Sequence, residues 1–578
     1  MIAWKIGGDQ GEGIDSTGDV LATVANRMGY FVYGYKNFSS RIKGGHTNYK
    51  VRISTTRVEA PTKRTDILVA LNQETIDKNF SELDNGLLLA DSVFKPMLPD
   101  NAKAQLLTLP LTAIAKDLGS VVMRNMVAVG ASAALLQMPV DPFIQYVTAK
   151  FERKGPAVVE SNRQAVEVGY QRIIEEYGHL LTYRLGEPHP GDRLVISGND
   201  AIALGAIAGG CRLMCGYPIT PATDIMESLV KWFPLVGGAV VQMEDELGSI
   251  TAVIGAGFGG ARAMTASSGP GISLMQEAIG LASVAEIPAV IVDTQRGGPS
   301  TGMPTKQEQS DLLALLHGGH GDTLRVVLTP GSIEESFEDA VEAFNLAEQF
   351  QTPVIIATDL SLSLWQQSVD RSRLNGPAQA IRRGATFSQE DLLALGANVF
   401  QRYQFSADGI SPRSLPGEAN GQYLATGVEH STNGKVSEDP ANRTKMMDKR
   451  LMKLQGVTQV RDGFKYEGPE DPDLILVGIG STVGVLKEAA KQLGSNVGVA
   501  WFRTLSPFPS ERVLSVLAPA RHVLVVEQNA LGQLRQLMTT HETTDSRYES
   551  LLKYNGVPFL PEEVVTRASA LLTPVEVH

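Results

Sequence analysis

Short apolar runs alternate with amphipathic stretches through most of this chain, a pattern that predicts parallel sheets covered by helices. Ile2 to Ile6 reads as a strand, the cluster Gly7-Gly8-Asp9-Gln10-Gly11-Glu12-Gly13 as a turn, and Ile14 to Met28 as a helix. Thr47 to Ile53, Asp66 to Leu71 and Gly86 to Ala90 read as further strands of a doubly wound sheet. Glu187-Pro188-His189-Pro190-Gly191 is a linker, because two prolines disfavour helix and a glycine ends the run. A second α/β unit then places strands at Arg262 to Ala266, Ala289 to Thr294, Arg325 to Leu328 and Pro353 to Thr358. Helices Gly271 to Glu286 and Ile333 to Gln349 lie between them, and the near-continuous apolar strands suit a sheet covered on both faces. The alternation lapses from Arg382 to Gly468, where Ser411 to Glu418 and Val436 to Pro440 read as loops and Arg443 to Leu454 as a basic helix. A last α/β unit starts at Leu474 and carries strands at Asn496 to Phe502 and His522 to Glu527. The fold class is therefore α/β, in several doubly wound domains.

Within this pattern, Gly216-Tyr217-Pro218-Ile219-Thr220-Pro221-Ala222-Thr223-Asp224 sets a rigid turn between the short buried strand Cys211 to Cys215 and an amphipathic helix. Pro221 suits the first helical position, where its missing N–H costs nothing. Thr220 would then stand at the helix N-terminus, either capping it or meeting a ligand. Val240 to Gln242 reads as a strand leading to Met243-Glu244-Asp245-Glu246, with a helix over Leu247 to Gly257. A carboxylate there, Glu246 or else Glu244, is a solvated helix-start acid or a proton-transfer group. Arg296, just past a buried strand, falls at the carboxyl end of a parallel sheet, where ligands of open α/β folds collect. Its planar guanidinium can hold a carboxylate bidentately or serve a surface ion pair. Gly8, Gly11 and Gly13 are spaced GxxGxG, which departs from the dinucleotide fingerprint. They form a tight turn, or a seat for an anion or thiol ester at the helix start. Arg41, Lys43 and His46 make a cationic loop beside Gly44 and Gly45.

The chain's 578 residues hold about three to four domains at roughly 150 residues each. A net charge of −12 argues against nucleic acid as the main partner and supplies no basic face for an anionic membrane. No window holds the roughly 18 apolar residues of a membrane span, and the opening run is strand-like, so a cytoplasmic protein is expected. Cys211 and Cys215 are the only cysteines; two thiols cannot build a disulfide framework or a four-cysteine iron–sulfur site, and both read as core residues. No metal site is expected in the chain.

Tyr-Pro-Ile-Thr-Pro-Ala-Thr at 217–223, Val-Gln-Met-Glu-Asp-Glu at 241–246 and Gln-Arg-Gly-Gly-Pro-Ser-Thr-Gly at 295–302 agree in order and spacing with one family. They resemble the α subunit of 2-oxoacid:ferredoxin oxidoreductases, fused behind a γ-like region as in the two-subunit 2-oxoglutarate enzymes. The resemblance implies a γ-like domain at 1–185, a pyrimidine-binding domain of the thiamine-enzyme type at 192–380, a loop-rich connection at 381–468, and a transketolase C-terminal-like domain at 469–578. It implies that Glu246, with Glu244 as the alternative, faces the cofactor's aminopyrimidine, that Tyr217, Pro218 and Ile219 line the cofactor, and that Thr220 and Arg296 bind the oxoacid. The loop Arg41, Lys43 and His46 resembles that of the members acting on 2-oxoglutarate, whose far carboxylate needs a second cation; pyruvate and branched-chain acids are the alternatives.

The GDG motif by which thiamine enzymes hold magnesium and diphosphate is absent from the sequence. The resemblance therefore implies a separate β subunit carrying the diphosphate motif, Mg2+ and a [4Fe-4S] cluster, in an (αβ)2 heterotetramer that passes electrons to ferredoxin. The implied reaction is the reversible, coenzyme A-dependent oxidative decarboxylation of 2-oxoglutarate to succinyl-CoA. Two competing readings are a non-catalytic acyl-CoA or dinucleotide sensor and a self-contained thiamine decarboxylase or transketolase. The missing GDG motif opposes the self-contained enzyme, and joint retention of Thr220, Glu246 and Arg296 opposes the sensor.

Overall fold

The computed structural model describes residues 1–38, 44–100, 102–374, 381–397, 399–541 and 545–573. The chain forms two compact units, Met1–Ser197 with Leu364–Ser372, and Gly198–Ser363 with Arg373–His578. Among the described residues the strands are, in chain order, β1 (Ile2–Asp9), β2 (Phe31–Asn37), β3 (His46–Ser54), β4 (Thr65–Ala70), β5 (Leu83–Asp91), β6 (Gln105–Leu109) and β7 (Arg193–Ser197). There follow β8 (Leu213–Gly216), β9 (Ala239–Gln242), β10 (Ala263–Ser267), β11 (Ala289–Gln295), β12 (Val326–Leu328), β13 (Pro353–Asp359) and β14 (Gln366–Asp370). The last are β15 (Phe464–Glu467), β16 (Leu474–Gly478), β17 (Val497–Phe502), β18 (Thr504–Ser506), β19 (His522–Glu527) and β20 (Tyr548–Leu552).

The first unit is built on a sheet of order β6-β5-β4-β1-β3-β2-β14-β7. β1, β4, β5 and β6 run parallel, whereas β3, β2, β14 and β7 join by antiparallel pairings. Only half of the sheet is thus of the doubly wound kind. β14, Gln-Gln-Ser-Val-Asp, has one strongly apolar residue, and β2 alternates about a glycine, so neither carries the apolar run that marks a parallel strand. β1 also runs farther than the expected strand: Gly7 and Gly8 pair with Asn48 and Thr47, and the turn begins only at Gln10. Gly11 and Gly13 then take φ of 92° and 84°, the left-handed region that glycine occupies freely. The following helix, Ile14–Arg27, buries Ile14, Val20, Leu21 and Val24. Helices Arg124–Leu135 and Pro156–Tyr177 cross at Gly130 and Gly169, where a Cβ would lie 1.9 Å and 2.1 Å from the facing carbonyls of Val166 and Val127.

The second unit has two sheets. One has the order β18-β12-β13-β11-β10-β8-β9, parallel except for β18, and the other β15-β17-β16-β19-β20, parallel except for β15. One apolar cluster runs through both, from Ile291, Val327 and Ile355 to Ile475, Val523 and Val525. β18 comes from the C-terminal part of the chain yet pairs with β12, which joins the two sheets covalently and by hydrogen bonds. No helix among the described residues is long and apolar enough to cross a membrane.

The segment lacking regular alternation is fastened by charge. Arg413 donates to the Gly257 carbonyl at 2.9 Å, and Arg402 to the Glu286 carbonyl at 2.8 Å. The helix expected over Arg443 to Leu454 extends over Pro440–Val460, with Asp439 capping the Asn442 N–H at 2.7 Å. Its Lys449 and Lys453 converge on Glu286, all three side chains being buried, and Lys449 Nζ lies 2.7 Å from Glu286 Oε2. Burial pushes the Glu286 carboxyl up, but Lys453, Lys449 and Arg402 outweigh it and hold the group well below the usual carboxylate range. Breaking such a buried set leaves two ammoniums uncompensated at a cost of about 3–5 kcal/mol. Glu286→Ala should therefore shift the second unit's denaturation to markedly lower denaturant, measured by chemical unfolding; an unchanged midpoint would mean that the helix is held by apolar contacts alone.

Candidate functional site

β8, β9, β10 and β11 lie side by side and parallel, so Gly216, Gln242, Ser267 and Gln295 bring their carboxyl ends to one edge of the sheet. Open α/β sheets gather ligands at this edge, because successive loops leave it in the same direction. Tyr217 and Pro218 beyond β8 are exposed, Ile219 is half-buried and Thr220 is exposed. The Ile219 carbonyl accepts the N–H groups of Ala222 and Thr223, and the Asn199 amide donates to the Pro221 carbonyl at 2.8 Å. The helix begins at Thr223 with Ala222 as its cap and no side-chain cap bond. Pro221 therefore does not occupy the first helical position, and Thr220 does not cap: the Thr220–Pro221 bond is cis and belongs to the preceding turn.

Arg296 closes onto this turn. Its Nη1 donates to the Thr220 carbonyl at 2.6 Å and its Nη2 to the Thr301 carbonyl at 3.4 Å. The buried Nε–H has no partner among the described residues. Two of five guanidinium N–H groups are thus committed to backbone carbonyls. Burial lowers the pKa of the guanidinium, and Asp311 works against that shift.

Glu244 and Glu246 separate by exposure. Glu244 lies exposed in the bend after β9, whereas Glu246 is the first residue of the helix Glu246–Phe258 and only 7% exposed. Asp245 caps that helix, accepting the Gly248 N–H at 2.7 Å, so the Glu246 carboxylate is left without a hydrogen bond or ion pair among the described residues. It lies against the first turn of the helix Gly269–Val284. A Cβ on Gly271 would be 2.8 Å from Glu246 Oε1 and 2.0 Å from Ser267 Oγ, so only glycine leaves room. A carboxylate on a buried residue that keeps no protein partner suits a ligand offering a hydrogen-bond donor, and the residues fit an aminopyrimidine.

The sequence reading missed an acidic group behind Arg296. Asp293 on β11 is fully buried with neither carboxyl oxygen bonded, and Asp311 Oδ2 is likewise unpartnered among the described residues. Glu308, nearly buried, accepts the Ser310 hydroxyl at 2.8 Å and the Gly298 N–H at 3.3 Å. Arg296, Glu308, Asp311, Gly269 and Asn529 line a cavity of about 670 Å³. The available signal was a charged residue inside the apolar run Ala289 to Thr294. Cys211 and Cys215 are buried and free, burial pushing the Cys211 thiol up to about 12, as fits core residues.

His46 opens β3 in the first unit. Its Nε2 lies 3.0 Å from the Asn79 amide nitrogen and 3.4 Å from that of Asn48, which assigns the proton to Nδ1. Burial, then Lys78, lowers its pKa, so the ring stands neutral and is a donor, not a cation. Arg41 and Lys43 lie outside the described residues.

Fold and site together define an α/β oxidoreductase subunit of the thiamine-enzyme type. Family models match in three parts: pyruvate ferredoxin/flavodoxin oxidoreductase at 3–172, its thiamine diphosphate-binding domain at 204–449, and pyruvate:ferredoxin oxidoreductase core domain II at 472–564. The alpha subunit of a Sulfolobus 2-oxoacid:ferredoxin oxidoreductase is 32% identical, over 97% of this chain and 96% of its own. The 2-oxoglutarate oxidoreductase subunit KorA of Mycobacterium tuberculosis is 31% identical over 97% and 90%. The solved 2-oxoglutarate:ferredoxin oxidoreductase of Magnetococcus marinus, with 2-oxoglutarate, coenzyme A and succinyl-CoA bound, superposes at a TM-score of 0.91 with 34% identity over 99% of both chains. The chain belongs to the 2-oxoacid:ferredoxin oxidoreductases and is an alpha subunit of that family.

Gly271→Ala should displace Glu246 and cut turnover of the assembled enzyme at least tenfold, about 1.4 kcal/mol in the barrier. Gly255→Ala, where a Cβ meets nothing within 4 Å, is the control and should leave turnover and melting temperature near wild type. Equal turnover of the two variants would show that the carboxylate's placement is immaterial.

Proposed function

We propose that this subunit, with a separate β subunit, oxidatively decarboxylates 2-oxoglutarate. One 2-oxoglutarate, one coenzyme A and two oxidised ferredoxins give succinyl-CoA, carbon dioxide, two reduced ferredoxins and one proton, reversibly. The observation that carries this reading is the buried, unpartnered Glu246 carboxylate beside Gly271. When bound, thiamine diphosphate supplies the carbanion chemistry by which a 2-oxoacid loses carbon dioxide. Glu246 would hold the aminopyrimidine and move its proton, with Tyr217, Pro218 and Ile219 along the cofactor, and Arg296 and Thr220 would orient the oxoacid. We place diphosphate and Mg2+ on the β subunit because this chain has no GDG motif, and a [4Fe-4S] cluster there because Cys211 and Cys215 are too few to ligate one, in an (αβ)2 assembly. An apolar edge supports such a partner: Tyr217, Val230, Leu235, Val241 and Leu247 are 42–80% exposed around edge strand β9. The substrate choice draws on the Magnetococcus structure, which holds 2-oxoglutarate, and on the KorA relative. Pyruvate is the second reading, favoured by the names of the matched family models.

Glu246→Gln should leave the complex assembled but slow exchange of the cofactor's C2 proton by about two to four orders of magnitude. Quenched exchange read by NMR decides: normal exchange in Glu246→Gln together with lost exchange in Glu244→Gln would move the role to Glu244. Substrate choice is tested separately at the loop. If Lys43 or Arg41 pairs the distal carboxylate, its removal leaves that anion unpaired, a loss of about 2–5 kcal/mol. Lys43→Ala should then lower kcat/KM for 2-oxoglutarate far more than for 2-oxobutyrate, with a smaller effect for His46→Ala because that ring donates without charge. A parallel fall for both substrates would sink the 2-oxoglutarate assignment of the loop.

A further inference from the structure

The cavity beside Arg296 carries more acid than an anion site should. Glu308 and Asp311 line it with the single cation Arg296, and Asp293 stands behind them, none of the three carboxyls being salt-bridged among the described residues. With every acid ionised, the local charge would be strongly negative, and a 2-oxoacid carboxylate arriving at Arg296 would be repelled. Protons on Asp293 and Asp311 are the remedy available to the protein. The two groups differ in how firmly they hold one. Asp293 lies on the central strand β11, opposite Ser267 of β10 in register, with no exposure and no hydrogen bond to either oxygen. Burial, reinforced by the charge of Asp311, raises its pKa well above the usual carboxylate value. Asp311 lies at the cavity wall, its oxygens 2.7 Å and 2.9 Å from where a Gly269 Cβ would be. Burial and then Glu308 raise it, Arg296 lowers it, and it settles at about 6. Of its other neighbours, Gln295 offers a neutral amide that accepts the Asp311 N–H, the helix Gly269–Val284 contributes Pro270 and the Ser273 hydroxyl to the cavity, and the C-terminal part of the chain contributes the amides of Asn529 and Gln533 and the phenol of Tyr554.

We propose that Asp311 is a positioning residue for the oxoacid: its ionisation, with Asp293 held behind it as the neutral acid, sets how tightly Arg296 grips the substrate carboxylate. This rests on the assignment of Arg296 to the oxoacid. The sign follows from proton occupancy. Below about pH 6 Asp311 is neutral and Arg296 is free to attract the anion; above it, the new negative charge competes for the guanidinium and KM rises. Bound oxoacid in turn raises the proton affinity of Asp311 by linkage, so binding above this pH takes up a proton.

The test uses the assembled enzyme, with KM and kcat for 2-oxoglutarate measured from about pH 5.5 to about pH 8.5 and KM expected to rise roughly three- to tenfold while kcat changes less. Asp311→Asn should remove that rise and give the low-pH KM throughout. Asp293→Asn, which copies the neutral acid, should keep the wild-type slope. Infrared spectroscopy at about pH 8 should show a protonated-carboxyl stretch that Asp293→Asn abolishes. A wild-type KM that is flat with pH, an Asp311→Asn enzyme that retains the slope, or an Asp293→Asn enzyme that loses it would overturn the proposal. Arg296→Lys separates the two assignments: wild-type KM in that variant would remove Arg296 from the oxoacid, whereas a raised KM beside an unchanged Asp311→Asn slope would overturn this inference alone.

Discussion

The site depends on how one buried amide, Gln309, is saturated. Its Nε2 donates to Asp359 Oδ2 at 2.8 Å and to the Ile479 carbonyl at 3.0 Å, at the ends of β13 and β16. Its Oε1 accepts the Thr482 hydroxyl and the Gln528 N–H, its own N–H reaches the Gln528 carbonyl at 2.7 Å, and its carbonyl accepts the Asn529 amide at 3.1 Å. Every hydrogen-bonding group of the residue is used, and together they join the two sheets of the second unit across a buried seam. Removing the Gln309 side chain would leave several groups without this partner at once, which is why such networks are rigid. The consequence is local to the chemistry: Glu308 and Asp311 flank Gln309 at one and two positions, so the C-terminal sheet fixes where the cavity's acids stand. A fold that contributes no acid of its own to the cavity governs the acids there.

Most of the architecture was legible because the parallel strands announce themselves. The runs that became β10 to β13 are apolar on both faces, and they differ from the readings by one or two residues. In the antiparallel half of the first sheet only β3 was legible, as Thr47 to Ile53; β2, β7 and β14 alternate or carry polar residues and owe their pairing to neighbours distant in the chain. Val369 of β14 is buried and stands opposite Leu194 of β7, 175 positions away in the chain. Glycine spacing misled at β1 for a related reason: Gly7 and Gly8 look like turn residues, yet a strand there permits close approach by the neighbouring elements.

At the site, sequence reading found the residues that lie at strand ends and missed those that matter by juxtaposition. Thr220 and Arg296 are 76 positions apart and meet through a backbone carbonyl, which no side-chain motif reports. The arrangement has a physical logic. By spending two donors on carbonyls of two different loops, Arg296 is held in place without a direct ion pair, so its charge is offset only when Asp311 ionises. A carboxylate partner would have positioned it equally well and removed its attraction for an anion.

The same economy explains Glu246. A helix start usually satisfies its own acids, since exposed N–H groups are at hand. Here Asp245 takes the capping role and turns outward to the Gly248 N–H, while the next residue, one step into the helix, is carried inward with no donor to meet. Gly271 and Ser267 then shape the space in front of it: the glycine removes a side chain, and the serine hydroxyl is itself without a partner among the described residues. Glu246 and Ser267 thus stand side by side at Gly271 without a protein partner among the described residues, an arrangement that adds nothing to stability. Glu246, Ser267 and Arg296 share one sheet edge, beside the exposed apolar surface around β9. An edge that is apolar outside and unsatisfied inside offers another molecule both apolar contact and polar groups to pair, because neither is spent within the chain.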